Sequence, residues 1–129
     1  MKTMKRLALC ATLLLPMLLS PLAQAQAQNA KQYLYLLRVA PHLQDESKWS
    51  AADNAAAGKH FARLKEALAK GQVILAGKTS EPLDKTFGLV IFEAADDAAA
   101  KAFMDADPAV QAGVMTATLH PYAVALLRK

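Results

Sequence analysis

Two features of this 129-residue chain have the residue types and spacing for acid–base chemistry. One is His60, which stands in a helical pattern. The other is the segment from Asp105 to Gly113, which contains the Asp107-Pro108 step. An imidazole titrates in the range useful for proton transfer, and a carboxylate beside it can orient the ring and stabilise its charged form. We therefore take His60 and Asp107 as candidate catalytic residues.

Each of the two residues also has a purely structural interpretation. Asp107 can cap a short helical turn, because Pro108 suits the first helical position and Gly113 suits a left-handed exit. His60 lies about 70° from the centre of the apolar stripe of its helix, at the edge. A boundary histidine with a half-buried ring fits that position. The local sequence leaves both interpretations open, and one aspartate can serve both purposes because it has two oxygens.

Other motifs with chemical meaning are weak or missing from the sequence. The three histidines, His42, His60 and His120, are scattered and lack a carboxylate at ligand spacing, so we expect no metal site. The Asp96-Asp97 pair is typical of a helix start. The sequence has no glycine-rich phosphate loop, no G-x-S-x-G elbow and no basic-aromatic strip. We therefore predict no cofactor and no nucleic-acid partner.

The first residues predict an export signal. Lys2, Lys5 and Arg6 precede an apolar run over residues 7–19, and small residues follow. This arrangement is typical of a secretory signal peptide, and the run is too short to span a membrane. We predict a signal peptide over residues 1–25, cleaved after Ala25 or Ala27. The mature protein is then periplasmic or secreted and has no membrane attachment.

Removal of the leader changes the charge and the cysteine content. The leader holds 3 of the 15 basic residues, so 12 remain against 11 acidic ones and the mature domain is nearly neutral. The basic isoelectric point therefore gives no support for nucleic-acid binding. The single cysteine, Cys10, lies in the leader. Its loss excludes disulfides, thiolate metal sites and a cysteine nucleophile from the mature chain.

Hydrophobic periodicity predicts the elements that must position these residues. We predict strands over residues 31–39, 72–77, 86–92 and 114–127, of which the second is short and buried. We predict helices over residues 55–70, with Gly71 at the C′ position, and from residue 96 to 106. The order βαββαβ is that of a ferredoxin-like α+β fold, an antiparallel sheet with both helices on one face. Pro121 lies in the last strand, which indicates an edge strand or a bulge because proline cannot donate to a ladder.

The same patterns predict which side chains face the core. In the first helix, the apolar stripe is Ala57, Phe61, Leu64 and Leu68, and the opposite, solvated side carries Lys59, Arg63, Glu66 and Lys70. In the second helix, the predicted core face is Ala95, Ala99, Ala102, Phe103 and Ala106. We assign Tyr33, Tyr35, Val90 and Phe92 to the sheet face away from the helices. An apolar outer face of that kind predicts a homodimer that closes face to face.

Four segments in this order resemble one family of small proteins. They are residues 59–64, residues 71–77, residues 102–110 and His120-Pro121-Tyr122. Together they resemble the YCII-related (YciI-like) domain family, over about residues 33–126 of a predicted domain at residues 31–129. The resemblance implies a ferredoxin-like fold of the dimeric α/β-barrel type and an active-site pair formed by His60 and Asp107, rather than Asp105. The chain departs from the family pattern at two places. Lys78 stands after Gly77, where the family commonly has proline, and the loop that contains Trp49 is longer than in the short cytoplasmic members.

The resemblance and the pair together suggest a small enzyme that works without a cofactor. It would be a lyase or isomerase, in which His60 moves a proton on a small cyclic or aromatic substrate and Asp107 fixes the ring tautomer. The alternative is a non-catalytic periplasmic module for small-molecule binding or stress response that uses the same pocket. A third reading has the domain act only through its dimer surface. Hydrogen-bond contact between His60 and Asp107 in an open pocket is the geometric test.

Overall fold

A computed structural model describes residues 30–128, so the predicted leader lies outside the described residues. Seven elements follow one another: β1 (Lys31–Val39), α1 (Ala51–Ala69), β2 (Val73–Lys78), β3 (Gly88–Ala94), α2 (Asp97–Asp105), α3 (Pro108–Gln111) and β4 (Met115–Tyr122). Two single 3₁₀ turns, Pro41–Leu43 and Glu46–Lys48, connect β1 to α1. The predicted ferredoxin-like βαββαβ order is confirmed, with α3 added as one extra turn before β4.

The four strands form one antiparallel sheet with the order β2-β3-β1-β4. β1 lies between β3 and β4, and its pairing with β4 runs from Gln32↔Tyr122 to Val39↔Met115. Pro121 is therefore in an edge strand, where its missing amide costs no ladder bond on the open side. The prediction of an edge position for Pro121 is confirmed.

The assignment of sheet faces was wrong. Tyr33, Tyr35, Val90 and Phe92 are at most 1% exposed and lie under the helices, where they form the core with Leu64 and other residues. The period of two correctly puts these four side chains on one face. It does not say which face the helices cover, because the alternate positions of β1 and β3 are aliphatic as well. The outer face instead carries the half-buried side chains Leu34, Leu36, Leu89 and Ile91.

Helix α1 begins four residues earlier than predicted because of a capping box. The Ser50 hydroxyl accepts a hydrogen bond from the amide of Asp53 at 3.1 Å, and the Asp53 carboxylate accepts one from the amide of Ser50 at 2.8 Å. This reciprocal pair satisfies two amides that have no partner within the helix. The helix ends at Ala69, and Gly71 follows the C-cap Lys70 at the C′ position, as predicted, with φ of +78°.

The buried face of α1 also differs from the predicted stripe. Its buried residues are Ala56, Leu64 and Ala67, whereas Phe61 is 64% exposed and Leu68 is 53% exposed. Ala56 is buried in a cluster with Ala109 and Val114, and Ala67 is buried in the main core, whereas the larger Phe61 and Leu68 belong to neither cluster. At 100° per residue, His60 falls between Ala56 and Leu64. The histidine is thus at the centre of the buried face rather than at its edge.

Two further packing predictions were wrong for related reasons. In α2 the buried residues are Ala100 and Met104, with Phe103 partly buried against Phe92; of the predicted face, only Phe103 contacts the core. Strand β2 was expected to be buried, but it is an edge strand in which only Val73 is buried. Among the described residues, no helix combines the length and apolarity required to cross a membrane.

Candidate active site

Asp107 is held in place by the start of helix α3. Its Oδ1 accepts the amide of Ala109 at 3.0 Å, Pro108 occupies the first helical position, and Gly113 leaves the turn with φ of +71°. These contacts confirm the predicted cap. Because the backbone on both sides is fixed, the carboxylate has one defined orientation beneath the sheet-facing side of α1.

His60 reaches the same carboxylate from α1. Its Nδ1 lies 2.7 Å from Oδ2 and 2.9 Å from Oδ1 of Asp107, across 47 residues of sequence. Asp107 is completely buried, whereas the His60 side chain is 13% exposed. The cap and the ion pair therefore coexist on one aspartate. The structure brings together the two residues that the sequence analysis singled out.

The environment keeps Asp107 ionised. Burial opposes its charged form, but the hydrogen bond and charge of His60, the Ala109 amide and the Tyr35 hydroxyl outweigh burial and hold the pKa of Asp107 below its usual range. An ionised carboxylate can only accept hydrogen bonds. Nδ1 of His60 must then be the protonated nitrogen, and in the neutral ring Nε2 is left as the acceptor.

Tyr35 is a site residue that the sequence analysis assigned to the wrong face. Its hydroxyl donates to Oδ2 of Asp107 at 2.9 Å, and the side chain is fully buried in β1. Burial first, and then the charge of Asp107, raise the pKa of Tyr35 far above its ordinary value. A buried tyrosine requires a partner for its hydroxyl, but the sequence holds no signal that names Asp107, 72 residues away, as that partner.

Arg63 is the second residue that the pattern misplaced, since it was assigned to the solvated side of α1. Its Nη2 donates to the carbonyl oxygen of Phe103 at 2.8 Å, and its guanidinium carbon lies 4.2 Å from the centre of the Phe103 ring. Within residues 30–128, its Nη1 is buried and makes no hydrogen bond. The positive charge of Arg63 opposes the rise in the pKa of Tyr35, which indicates that it acts on the same buried cluster.

An open cavity of about 720 Å³ lies beside His60. Its walls are mainly apolar and come from all four strands, α1, the segment before α1 and the loop between β2 and β3; they include Leu37, Val39, Trp49, Phe61, Leu64, Leu83, Val90 and Met115. The indole nitrogen of Trp49 donates to the carbonyl oxygen of Leu43 at 2.7 Å, which fixes the ring as part of the wall. Glu46 and Lys78 also line the cavity. Asp107 is not part of the lining, so it acts only through His60.

The remaining candidates do not form a site. His42 lies in the first 3₁₀ turn, and His120 lies opposite Leu34 on β4. Asp96 caps α2 by accepting the amide of Ala99 at 2.8 Å, as expected for a helix start. Asp105 forms an ion pair with Lys101. Over residues 30–128, no three histidine, cysteine, aspartate or glutamate side chains are grouped closely enough to hold a metal ion.

The comparison with protein families agrees with the fold. The family model described as the YCII-related domain matches residues 32–119, which run from β1 through most of β4 and include both His60 and Asp107. No curated protein matches the chain.

Proposed function

The chain belongs to the YCII-related domain family, and we propose that it is a small acid–base enzyme of the lyase or isomerase type. In this proposal His60 transfers a proton to or from a small cyclic or aromatic substrate held in the cavity. The observation that supports it is the geometry of the pair. His60 lines the cavity, while its Nδ1 is bound to a fully buried, ionised carboxylate at 2.7 Å.

The proposed proton transfer uses Nε2 of His60. The neutral ring accepts a proton from a substrate carbon that is acidified by a neighbouring electron-withdrawing group, and the electron pair of the broken C–H bond stays on the substrate. Asp107 keeps the other proton on Nδ1 and stabilises the imidazolium that forms. An isomerase returns the proton to a different atom of the substrate. A lyase instead lets the electron pair expel a leaving group.

The cavity supports a substrate that is small and mostly apolar. Its volume of about 720 Å³ lies within the range of small-molecule sites, and its wall is aliphatic with two aromatic residues, Trp49 and Phe61. A planar ring can lie between such surfaces, with its acidic C–H directed at His60. Exclusion of water by an apolar wall strengthens the electrostatic effect of Asp107 on the imidazolium.

Solvent exchange at carbon tests the proton transfer directly. Cyclic and aromatic compounds are first selected by thermal shift and are then incubated with the protein in D₂O, where NMR detects deuterium incorporation. His60→Asn retains an amide donor toward Asp107 but has no titratable nitrogen, so we expect exchange to fall by about 10²–10⁴-fold while binding persists. His120→Gln, on the exposed edge strand, is the matched control. Full exchange by His60→Asn would contradict the proposal.

A non-catalytic binding module is the second candidate function. It is supported by the largely apolar wall of the cavity, because that wall can bind a ligand without any proton transfer. The same experiment separates the two candidates. A compound that stabilises wild type and His60→Asn equally, with no deuterium incorporated by either protein, favours binding alone.

We further propose that two copies associate through the outer face of the sheet. The half-buried aliphatic residues Leu34, Leu36, Leu89 and Ile91 lie on neighbouring strands there and would gain burial from a second copy. Ile91→Lys is expected to convert a dimer to a monomer in light scattering, whereas Ala102→Lys on the exposed side of α2 leaves the dimer intact. A wild-type monomer would contradict this association.

Export of the protein is also part of the proposal. It rests on the basic and apolar leader at residues 1–25, which precedes the described domain. Mass spectrometry of the protein purified from the periplasm or the culture medium of the expressing cells tests whether the leader is removed on export. Export with cleavage gives a mature chain that starts at Gln26 or Gln28, and a retained leader contradicts it.

A further inference from the structure

Tyr35 and His60 share one oxygen of Asp107. The Tyr35 hydroxyl lies 2.9 Å from Oδ2, and Nδ1 of His60 lies 2.7 Å from the same atom. Tyr35 and Asp107 lie on the buried side of α1, which carries His60, and Tyr35 does not line the cavity. The hydroxyl therefore cannot contact a substrate in that cavity, but it contacts the carboxylate on which the orientation and charge of His60 depend.

A second hydrogen-bond donor to a carboxylate weakens the interaction between that carboxylate and the first donor. Each hydrogen bond to the ionised carboxylate disperses its negative charge and weakens it as a partner for any other donor. Tyr35 thus reduces the stabilisation that Asp107 gives to the His60 imidazolium. It also leaves Oδ1 to the Ala109 amide and to the second His60 contact, at 2.9 Å, which fixes the plane of the carboxylate.

The surroundings keep Tyr35 in its role as a donor. Its ring is fully buried and packs edge-on against Phe92, with ring centres 5.6 Å apart, so the side chain has one position. Burial, and then the charge of Asp107, raise the pKa of its hydroxyl far above its ordinary value, so the hydroxyl keeps its proton. Arg63, anchored to the carbonyl of Phe103, places a positive charge next to this cluster.

We infer that Tyr35 is a positioning residue that sets the proton affinity of His60 through Asp107. The catalytic meaning of this inference rests on the proposed function, but the effect on His60 does not. Asp107 contacts His60 directly and Tyr35 contacts it through Asp107, while Glu46 and Lys78 line the same cavity as His60 and Arg63 lies on the next turn of α1. Of these side chains, Tyr35 can lose its polar group by removal of one oxygen atom, as in Tyr35→Phe, without any change of charge.

Titration of His60 by NMR tests the inference without a substrate. His42→Gln and His120→Gln leave His60 as the only histidine of the chain, so its ring signal is unambiguous. In that background we expect Tyr35→Phe to move the titration midpoint upward by about 0.5 pH unit, as loss of one neutral hydrogen bond implies. Tyr33→Phe is the matched control. Tyr33 lies on the same face of β1 and donates to Asp97 at 2.7 Å, away from His60.

Fluorination of the same hydroxyl gives the opposite perturbation. With Tyr33→Phe and Tyr122→Phe, Tyr35 is the only tyrosine of the chain and can be replaced throughout by 3-fluorotyrosine during expression. A more acidic hydroxyl is a stronger donor, so we expect the His60 midpoint to fall. Compared with the unfluorinated protein of the same background, this variant keeps the hydrogen bond from Tyr35 to Asp107, and it therefore tests the inference even where Tyr35→Phe disturbs the core.

The outcomes separate this inference from the proposed function. Midpoints that rise in Tyr35→Phe and fall with fluorotyrosine support it, whether or not a substrate is found. A midpoint that moves in neither protein, or that moves equally in Tyr33→Phe, overturns it even where His60 proves essential for deuterium exchange. When exchange is measurable, the acid limb of its pH profile is expected to shift with the NMR midpoint.

Discussion

Alanine replacements of Asp107 and Asp96 compare a helix N-cap that also binds buried side chains with one that only caps its helix. Asp107 and Asp96 are both helix N-caps, and each accepts one backbone amide, at 3.0 Å and 2.8 Å respectively. Loss of such a cap costs about 1 kcal/mol. Asp96 is exposed and accepts only that bond in the described residues, so Asp96→Ala is expected to lower the free energy of unfolding by about that amount.

Asp107→Ala has further costs because its other partners are buried. The Tyr35 hydroxyl loses its acceptor in a fully buried position, which costs about 1–3 kcal/mol. Nδ1 of His60 also loses its acceptor, but the ring is 13% exposed and can turn toward the water of the cavity, so the lower end of that range applies. Together with the cap, the expected loss is about 3–5 kcal/mol, a large share of the roughly 5–15 kcal/mol typical of a domain.

Urea unfolding followed by the fluorescence of Trp49, the single tryptophan, measures both variants. A loss of about 4 kcal/mol lowers the midpoint by about 2 M at the slope usual for small domains. His60→Ala and the double variant complete a cycle in which we expect a coupling of about 1 kcal/mol or more. The reasoning is refuted when Asp107→Ala costs no more than Asp96→Ala, or when the cycle shows no coupling.

Three further predictions concern pH, backbone conformation and the cavity wall. Folding lowers the pKa of Asp107, so its contribution to stability is fully present at a pH above the ordinary pKa of aspartate and is lost as the pH falls through the pKa of the folded state. In a plot of the free energy of unfolding against pH, Asp107→Asn should therefore flatten the acid side. Gly58→Ala should raise the free energy of unfolding by about 0.5–1 kcal/mol in the same urea assay, because Gly58 lies inside α1 and a new Cβ would have nothing within 4 Å. Gly71→Ala should lower it by about 1 kcal/mol, because Gly71 has a φ of +78°. Trp49→Phe leaves the Leu43 carbonyl without its donor and should lower stability by about 1–2 kcal/mol in thermal melts followed by circular dichroism; an unchanged melting temperature would count against that hydrogen bond.

Local chemistry accounts for what the sequence predicted well. The Asp107-Pro108 step and Gly113 determine a capped turn through contacts within a few residues, and the structure has that turn. The helix end before Gly71 and the start at Asp96 depend on similarly short contacts. The capping box at Ser50 is equally local, and its S-x-x-D spacing could have placed the start of α1 correctly.

Which residues face the core depends on contacts far apart in sequence, and here the predictions failed. In α1 the pattern favoured Phe61 and Leu68 because they are large and apolar, but Ala56 and Ala67 are the buried residues, together with Leu64. Small residues bury little area each, so a hydrophobicity pattern underweights them. The packing that buries these two alanines exists only in the folded domain.

By itself, the sequence determined the order of the elements, the local caps and the two residue types able to move a proton. The tertiary structure decided which sheet face is covered, and through this it placed Tyr35 under α1 and next to Asp107. The physical reason is that the middle of β1 is apolar in both phases, with Leu34 and Leu36 alternating with Tyr33 and Tyr35, so alternation groups side chains by face without saying which face the helices cover. The helices cover one of the two faces, and only then do His60, Asp107 and Tyr35 meet beside a cavity.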